Sequence, residues 1–273
     1  MKILPESAGP DSRALLTTRG IRAFVDGIAY VILPAFLLGL GFSGLQIGAV
    51  VTASLFGSAL LTLLVGSNAY RFHPQRLLLL SSILMLSTGL LFGISSNFVV
   101  LLIIAAIGTM NPSAGDVSVF LPLEQSTLAS SVADKDRTSL FASFNLVGSL
   151  VGSIGALCAG IPIWIAVTMN VEEQVGRRAG FILYGLAGIL LMFVYSQLSA
   201  GTRTHVTKTD NALRESKSIV YRLAALFSLD SFGGGFATQA IFALWVFHKF
   251  GISASTMGVV FFAAGILSAF SSL

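Results

Sequence analysis

Four carboxylates, Asp26, Asp116, Glu124 and Asp230, each lie inside or at the margin of a long apolar run. An ionised carboxylate at the centre of a bilayer costs at least about 2.5–3.5 kcal/mol, so a position that keeps one faces a cavity or a partner. Such acids take up protons or cations, and the amides Asn111, Gln125, Asn145 and Gln239 could hold a polar solute beside them. Asp230 is the leading intramembrane acid, about three turns into its run in "SLDSFGGGFATQA", where Gly233 to Gly235 permit unwinding or tight packing. Asp116 lies in "GTMNPSAGDVSVFLPLEQSTLAS", where Pro112 and Gly115 can break a helix and Asn111, Ser113, Ser118, Glu124 and Gln125 supply polar partners. Asp26 follows Arg22 by four residues. It reads equally as half of an i,i+4 anchor at the cytoplasmic edge and as a proton acceptor or cation contact near an inner gate. Glu124 is expected nearer the interface, beside Arg137, and Asn145 either faces the same cavity or bonds a neighbouring helix.

The elements that must carry these groups follow from composition. Hydrophobic residues make up 55% of the 273 and charged residues only 10%, with a mean hydropathy of +0.87. Soluble domains carry about one-quarter charged residues, so a water-soluble fold is excluded. The single cysteine, Cys158, sits among small and apolar residues and reads as packing; one cysteine allows no intrachain disulfide and no thiolate cluster. His73, His205 and His248 are far apart in sequence, and no metal or other cofactor is expected. Lys and Arg outnumber Asp and Glu, 16 to 12, but they are confined to loops rather than gathered on one face, so nucleic acid is not the expected partner.

A spanning helix needs about 20 mostly apolar residues. The runs place spans near 22–41, 45–66, 77–95, 98–122, 139–161, 179–199, 219–247 and 255–273, giving an all-α, multi-pass membrane protein of about eight helices. Residues 1–21 read as a cytoplasmic tail, 22–199 as a six-helix bundle, 200–218 as a polar cytoplasmic linker, and 219–273 as the start of a second bundle. With the amino terminus inside, 13 of the 16 Lys and Arg fall on the cytoplasmic side, the positive-inside pattern of an inner or plasma membrane protein. An internal echo supports duplication: Arg22, Asp26 and "GFSGLQIGAV" at Gly41 are followed, in the seventh and eighth spans, by Arg222, Asp230 and "GISASTMGVV" at Gly251. The chain stops at Leu273 inside an apolar run, and a duplicated six-helix plan expects four more spans.

This layout resembles the major facilitator superfamily, whose members join two six-helix bundles by a cytoplasmic loop. The family's Gly-x-Leu-x-Asp-Arg-x-Gly-Arg-Arg/Lys loop between the second and third helices is similar to "GSNAYRFHPQR". Gly66 and Arg71 match, Arg76 lies one position late, Tyr70 replaces the aspartate and His73 the second glycine. With Arg22, Arg137 and Arg222 at other cytoplasmic helix starts, these are the gating candidates the resemblance implies. The fifth span carries Gly148, Gly152 and Gly155, while Ser153 and Ala156 depart from the family's antiporter signature; close helix packing is the expected role.

The resemblance implies a secondary transporter that moves a small solute across the bilayer by alternating access, with protons as the candidate coupling ion. No G-x-x-x-x-G-K-[ST], H-E-x-x-H or G-x-S-x-G sequence is present, so nucleotide-driven, metalloprotease and hydrolase chemistry lack their motifs. An intramembrane aspartyl enzyme pairing Asp26 with Asp116 lacks the first glycine of its Gly-x-Gly-Asp signature, and no enzyme is expected. A non-transporting membrane component, or an inactive short form, is the alternative. Substrate, direction and oligomeric state are not encoded in any motif.

Overall fold

A computed structural model describes residues 8–68, 72–113, 117–199, 217–235 and 238–271. These residues form helices α1 (Pro10–Gly39), α2 (Gly44–Asn68), α3 (Pro74–Ile94), α4 (Phe98–Ile107), α5 (Phe120–Ser130), α6 (Asp134–Cys158), α7 (Ile161–Thr168), α8 (Glu173–Ser196), α9 (Lys217–Gly235), α10 (Gln239–Phe250) and α11 (Ala254–Ser271). Among the described residues, five stretches are long and apolar enough to cross a membrane: α1, most of α2, α3, α6 with α7, and α8. Their outward faces carry exposed Phe56, Leu63, Leu80, Ile83, Leu190 and Phe193. On a soluble protein so large an apolar surface would drive aggregation; here it is the face offered to acyl chains.

α1 begins at Pro10, well before the expected first span, so much of the segment read as a tail is helix. Pro at the first helical position has no N–H to leave unsatisfied, and Asp11 in the first turn favours the positive helix end. Tertiary contacts hold this extension. The Asp11 carboxylate accepts from the backbone N–H and the hydroxyl of Ser199, at 3.1 and 2.9 Å, and Ser12 meets Ser131 at 2.8 Å.

The expected fourth and seventh spans are each divided. α4 ends at Ile107 and α5 starts at Phe120, while α9 ends at Gly235 and α10 starts at Gln239. The two breaks meet: the Ala240 N–H donates to the Pro112 carbonyl at 3.2 Å. Backbone groups freed by an interrupted helix must find partners where water is scarce, and each break supplies one to the other.

α1 is the spine of the bundle, packed by α6, α8, α10 and α11, while α3 pairs with α8 and α2 with α4. Small residues set these separations. A Cβ on Gly27 would fall 2.2 Å from the Gly152 carbonyl oxygen, and one on Gly155 would fall 2.0 Å from that of Phe24, so α1 and α6 touch backbone to backbone. The opposite edge of α6 receives α11. There, Cβ atoms on Gly258 and Gly265 would strike Ala156 and Ser153, the two positions that depart from the antiporter signature.

The internal echo has a structural counterpart. Gly41 and Gly251 both adopt left-handed backbone, at φ +81° and +61°, just past the ends of α1 and α10. In each copy a serine follows two residues later, Ser43 or Ser253, and its carbonyl accepts the first i→i−4 bond of the next helix, from the N–H of Ile47 or Met257. Glycine carries no penalty at such a helix stop, so the same turn is encoded twice.

Candidate functional site

Two polar groups of side chains branch from α1, one sealed and one open to a cavity. The sealed group is built around Arg22 and Glu124, whose side chains are 1% and 0% exposed. The Arg22 guanidinium pairs with one Glu124 oxygen and donates to Ser118 Oγ at 2.9 Å. Thr18 Oγ1 and the Tyr195 hydroxyl donate to the other Glu124 oxygen, at 3.0 and 2.5 Å. Phe120 lies under the guanidinium at 4.8 Å and stacks on Tyr195. A buried ion pair offsets its desolvation cost when further hydrogen bonds reach its members, and Thr18 of α1, Ser118 just before α5 and Tyr195 of α8 each add one. Arg22 therefore ties to Glu124, 102 residues away, where sequence spacing pointed to Asp26. Glu124 is sealed in this group, whereas Arg137, the neighbour expected for it, is exposed, pairs with Asp134 at 3.0 Å and donates to the Ala129 carbonyl. Sequence distance along one helix ranks local pairs first, and folding brought a better-buried partner.

The open group lines a cavity of about 450 Å³ between α1, α6, α10, α11 and the segment after α4. From α1 come Arg19, Asp26 and Tyr30; Asn111, Ser149, Gln239 and Ser268 face them from the other elements. Arg19 and Asp26 are 8% and 7% exposed, so the wall holds both charges out of bulk water. The Arg19 guanidinium lies 5.2 Å from the Phe144 ring centre and occupies the space left by Gly148, where a Cβ would come within 2.4 Å of its nitrogens. Tyr30 meets Phe261 of α11 edge to face at 5.4 Å. Asn111 Oδ1 accepts from the Ser113 N–H and hydroxyl, at 3.1 and 2.9 Å, fixing the turn at the break. Among the described residues the recess is lined by one cation, one carboxylate and several amides and hydroxyls, a polar rather than a lipid-like surface.

Of the residues singled out from sequence, Asp26, Asn111 and Gln239 line this cavity and Glu124 anchors the sealed group. Gln125 is half-buried on α5 and Asn145 exposed on α6; neither is among the cavity's lining residues. Asp230 and Arg222 stand on α9, where every residue from Ser218 to Gly233 is exposed, so the acid expected to lead the site is away from the cavity. Hydropathy cannot tell which face of a helix is covered, and no described element blankets α9. Gly66 ends up exposed near the end of α2 and Arg76 exposed on α3. Asp116, Arg71 and His205 lie outside the described residues. No cluster of three or more His, Cys, Asp or Glu able to hold a metal ion occurs among the described residues.

Arg19 was missed because the first span was drawn from residue 22. Once α1 starts at Pro10, Arg19 falls seven residues before Asp26, on the same helix face. Gln75 and Arg178 also escaped notice. Gln75 Nε2 donates to the Tyr195 and Ser196 carbonyls at the end of α8, while Arg178 Nη1 donates to the Gly93 carbonyl at the end of α3, 2.8 Å away. Each helix of this pair thus has its open carbonyls closed by its neighbour.

Similarity to known proteins agrees with this architecture. The uncharacterized membrane protein YJR124C of Saccharomyces cerevisiae is 23% identical over 300 residues, covering 97% of this chain and 67% of the yeast protein. The crystal structure of a D-xylose-proton symporter superposes with a TM-score of 0.59 at 17% identity, covering 95% of this chain and 66% of the symporter. The chain thus spans about two thirds of the length of these relatives. The family profile described as Major Facilitator Superfamily matches residues 15–273, nearly the whole chain, and the protein, an integral multi-pass membrane protein of non-enzymatic type, belongs to that superfamily.

Proposed function

We propose that the protein is a secondary transporter that moves a small polar solute by alternating access through the cavity beside α1, with Asp26 as its proton-binding group. The observation that carries this reading is a recess of about 450 Å³, walled by α1 and α6 on one side and α10 and α11 on the other, that holds a largely buried carboxylate. Rocking one wall against the other would expose Asp26 to either side in turn, and a carboxylate in alternating contact with two aqueous phases carries protons between them. The symporter of similar fold couples D-xylose to protons by its name; at 17% identity it speaks for the fold alone. The Arg22–Glu124 pair, joining α1 to α5, stiffens the wall that contains α1 in this scheme. The amino terminus is cytoplasmic, supported by the 13 to 3 distribution of Lys and Arg.

Proteoliposomes carrying the chain under an imposed proton gradient, supplied with radiolabelled sugars, amino acids and organic ions, test this reading. Asp26→Asn is expected to lower gradient-driven uptake at least about tenfold, the worth of one charge-assisted contact. Asp230→Asn, on exposed α9, is expected to leave most of it. Uptake indifferent to Asp26→Asn rejects the coupling role; no uptake of any solute by a correctly inserted chain favours a non-transporting component.

A further inference from the structure

α1 borders a polar recess on one side and an apolar one on the other. The apolar recess, of about 630 Å³, lies between α1, α6 and α8. Its α1 residues, Gly20, Ile21, Phe24 and Val25, fall on the opposite side of the helix from Arg19, Asp26 and Tyr30. Val151 of α6 and apolar residues of α8 between Leu183 and Leu190 complete it, and among the described residues no polar side chain lines it. Leu183, Leu186, Ile189 and Leu190 are 42–56% exposed, so it is an open groove and not a sealed void. All three helices lie in stretches of spanning length, which places the groove in the hydrocarbon layer. Acyl chain fills such a groove, since water finds no partner on an apolar wall. The chain contact alone selects little, because lipid tails are as apolar as the leucines they meet, so any preference comes from the headgroup.

α1 supplies a headgroup partner. At 30 residues it is about 45 Å long against a hydrocarbon layer of about 30 Å, so its first turns reach the headgroup layer. Arg13 and Thr17 are exposed there, and they continue the groove's stripe in three- and four-residue steps to Gly20, Ile21 and Phe24. Gln197, exposed just past the end of α8, follows Leu190 by seven residues on the same side of that helix. We propose that the groove holds an anionic phospholipid of the leaflet on the amino-terminal side, with an acyl chain between α1 and α8 and its phosphate on Arg13. A guanidinium suits phosphate through paired N–H donors, and the Gln197 amide adds another donor at the same end. The rise from Arg13 to Gly20, about 10 Å, compares with a headgroup layer of roughly 5–8 Å and the reach of an arginine side chain. With the amino terminus cytoplasmic, as proposed above, this is the inner leaflet, the one that carries anionic lipid. Neither the solute nor the coupling ion enters the assignment.

Fluorescence quenching by brominated lipid, in vesicles carrying the full chain, tests the site. With both native tryptophans removed, by Trp164→Phe and Trp245→Phe, one reporter is placed on the groove wall by Leu190→Trp and another on the exposed face of α2 by Phe56→Trp. The vesicles are equimolar phosphatidylglycerol and phosphatidylcholine, with brominated chains on one lipid or the other. Brominated phosphatidylglycerol is expected to show about fivefold higher relative affinity than brominated phosphatidylcholine at the groove reporter, the effect of one arginine at an anionic surface, and no preference at Phe56→Trp. Arg13→Gln should abolish the preference, and Arg13→Lys should keep most of it. Gly20→Leu tests the groove itself: a Cβ there meets only Val147 Cγ1, at 3.5 Å, so the larger side chain fills the recess without a clash at its root and should lower the preference with Arg13 in place. Equal quenching by the two lipids at Leu190→Trp, the same preference at Phe56→Trp, or a preference that survives either Arg13→Gln or Gly20→Leu would overturn the site. Quenching abolished by added sterol, or by a higher ratio of protein to lipid, would also overturn it, giving the groove to a sterol or to a second copy of the chain. The transporter reading is judged separately, by proton-driven uptake of the solute panel.

Discussion

The Arg22–Glu124 group and the Arg19–Asp26 set each combine an arginine of α1 with a carboxylate, from α5 in the first and from α1 itself in the second, and they differ in access. Arg22 and Glu124 are closed in by Thr18, Ser118, Phe120 and Tyr195, so each charge has named partners and no route to a solute. Arg19 and Asp26 are nearly as buried, yet both border a recess large enough for a small molecule. Charges in a membrane protein therefore divide by what surrounds them: a pair sealed among protein groups holds helices together, and charges that border a cavity can be reached by solvent or solute.

Removing one member of the sealed pair sharpens this contrast most. Arg22→Met leaves Glu124 buried without its counter-charge and is expected to destabilise the bundle by about 3–5 kcal/mol, read as a large fall in unfolding temperature in detergent. Arg19→Gln, by contrast, should unfold close to the parent temperature. If both variants unfold alike, the distinction between sealed and open groups is lost. Tyr195→Phe removes one hydrogen bond to a charged group and should cost about 1.5–3 kcal/mol in the same assay. A Tyr195→Phe variant as stable as the parent would mean that Glu124 keeps a replacement donor.

The glycines of α6 make the next comparison. Gly155→Ala drives a methyl into the α1 backbone, where a Cβ would lie 2.0 Å from the Phe24 carbonyl oxygen, and should cost about 1–3 kcal/mol of stability. Gly148→Ala meets only the movable end of Arg19. It should leave stability within about 1 kcal/mol while altering solute binding, and equal loss of stability at both positions would break the comparison. The smallest effect is expected at the rim: Arg137 pairs with Asp134, 89% exposed, and Arg137→Ala should change stability by no more than about 0.5 kcal/mol.

Much of the architecture was readable along the chain. Apolar runs of spanning length and the Pro112 and Gly233–Gly235 break signals correspond to observed helices and interruptions. The candidate site was readable in part. Asp26, Asn111 and Gln239 were identifiable because polar residues in apolar runs are few, but Arg19 was hidden because the first span was drawn from residue 22. Tyr30 and Thr18 gave no signal, since an aromatic or a hydroxyl residue is ordinary in a membrane helix.

What the sequence determined by itself is local: hydrophobicity dictated helices in lipid, glycine and proline dictated where they stop or break, and 3.6-residue periodicity placed Arg19 with Asp26 on one face of α1. Tertiary structure alone decided which faces meet. It paired Arg22 with a glutamate 102 residues away, left Asp230 on an exposed helix, and opened a cavity where two broken helices exchange a backbone hydrogen bond. The reason is geometric: a helix face is a property of neighbours three and four residues apart, whereas its partner is chosen by the close fit of small residues such as Gly27, Gly152 and Gly155 between helices distant in the chain.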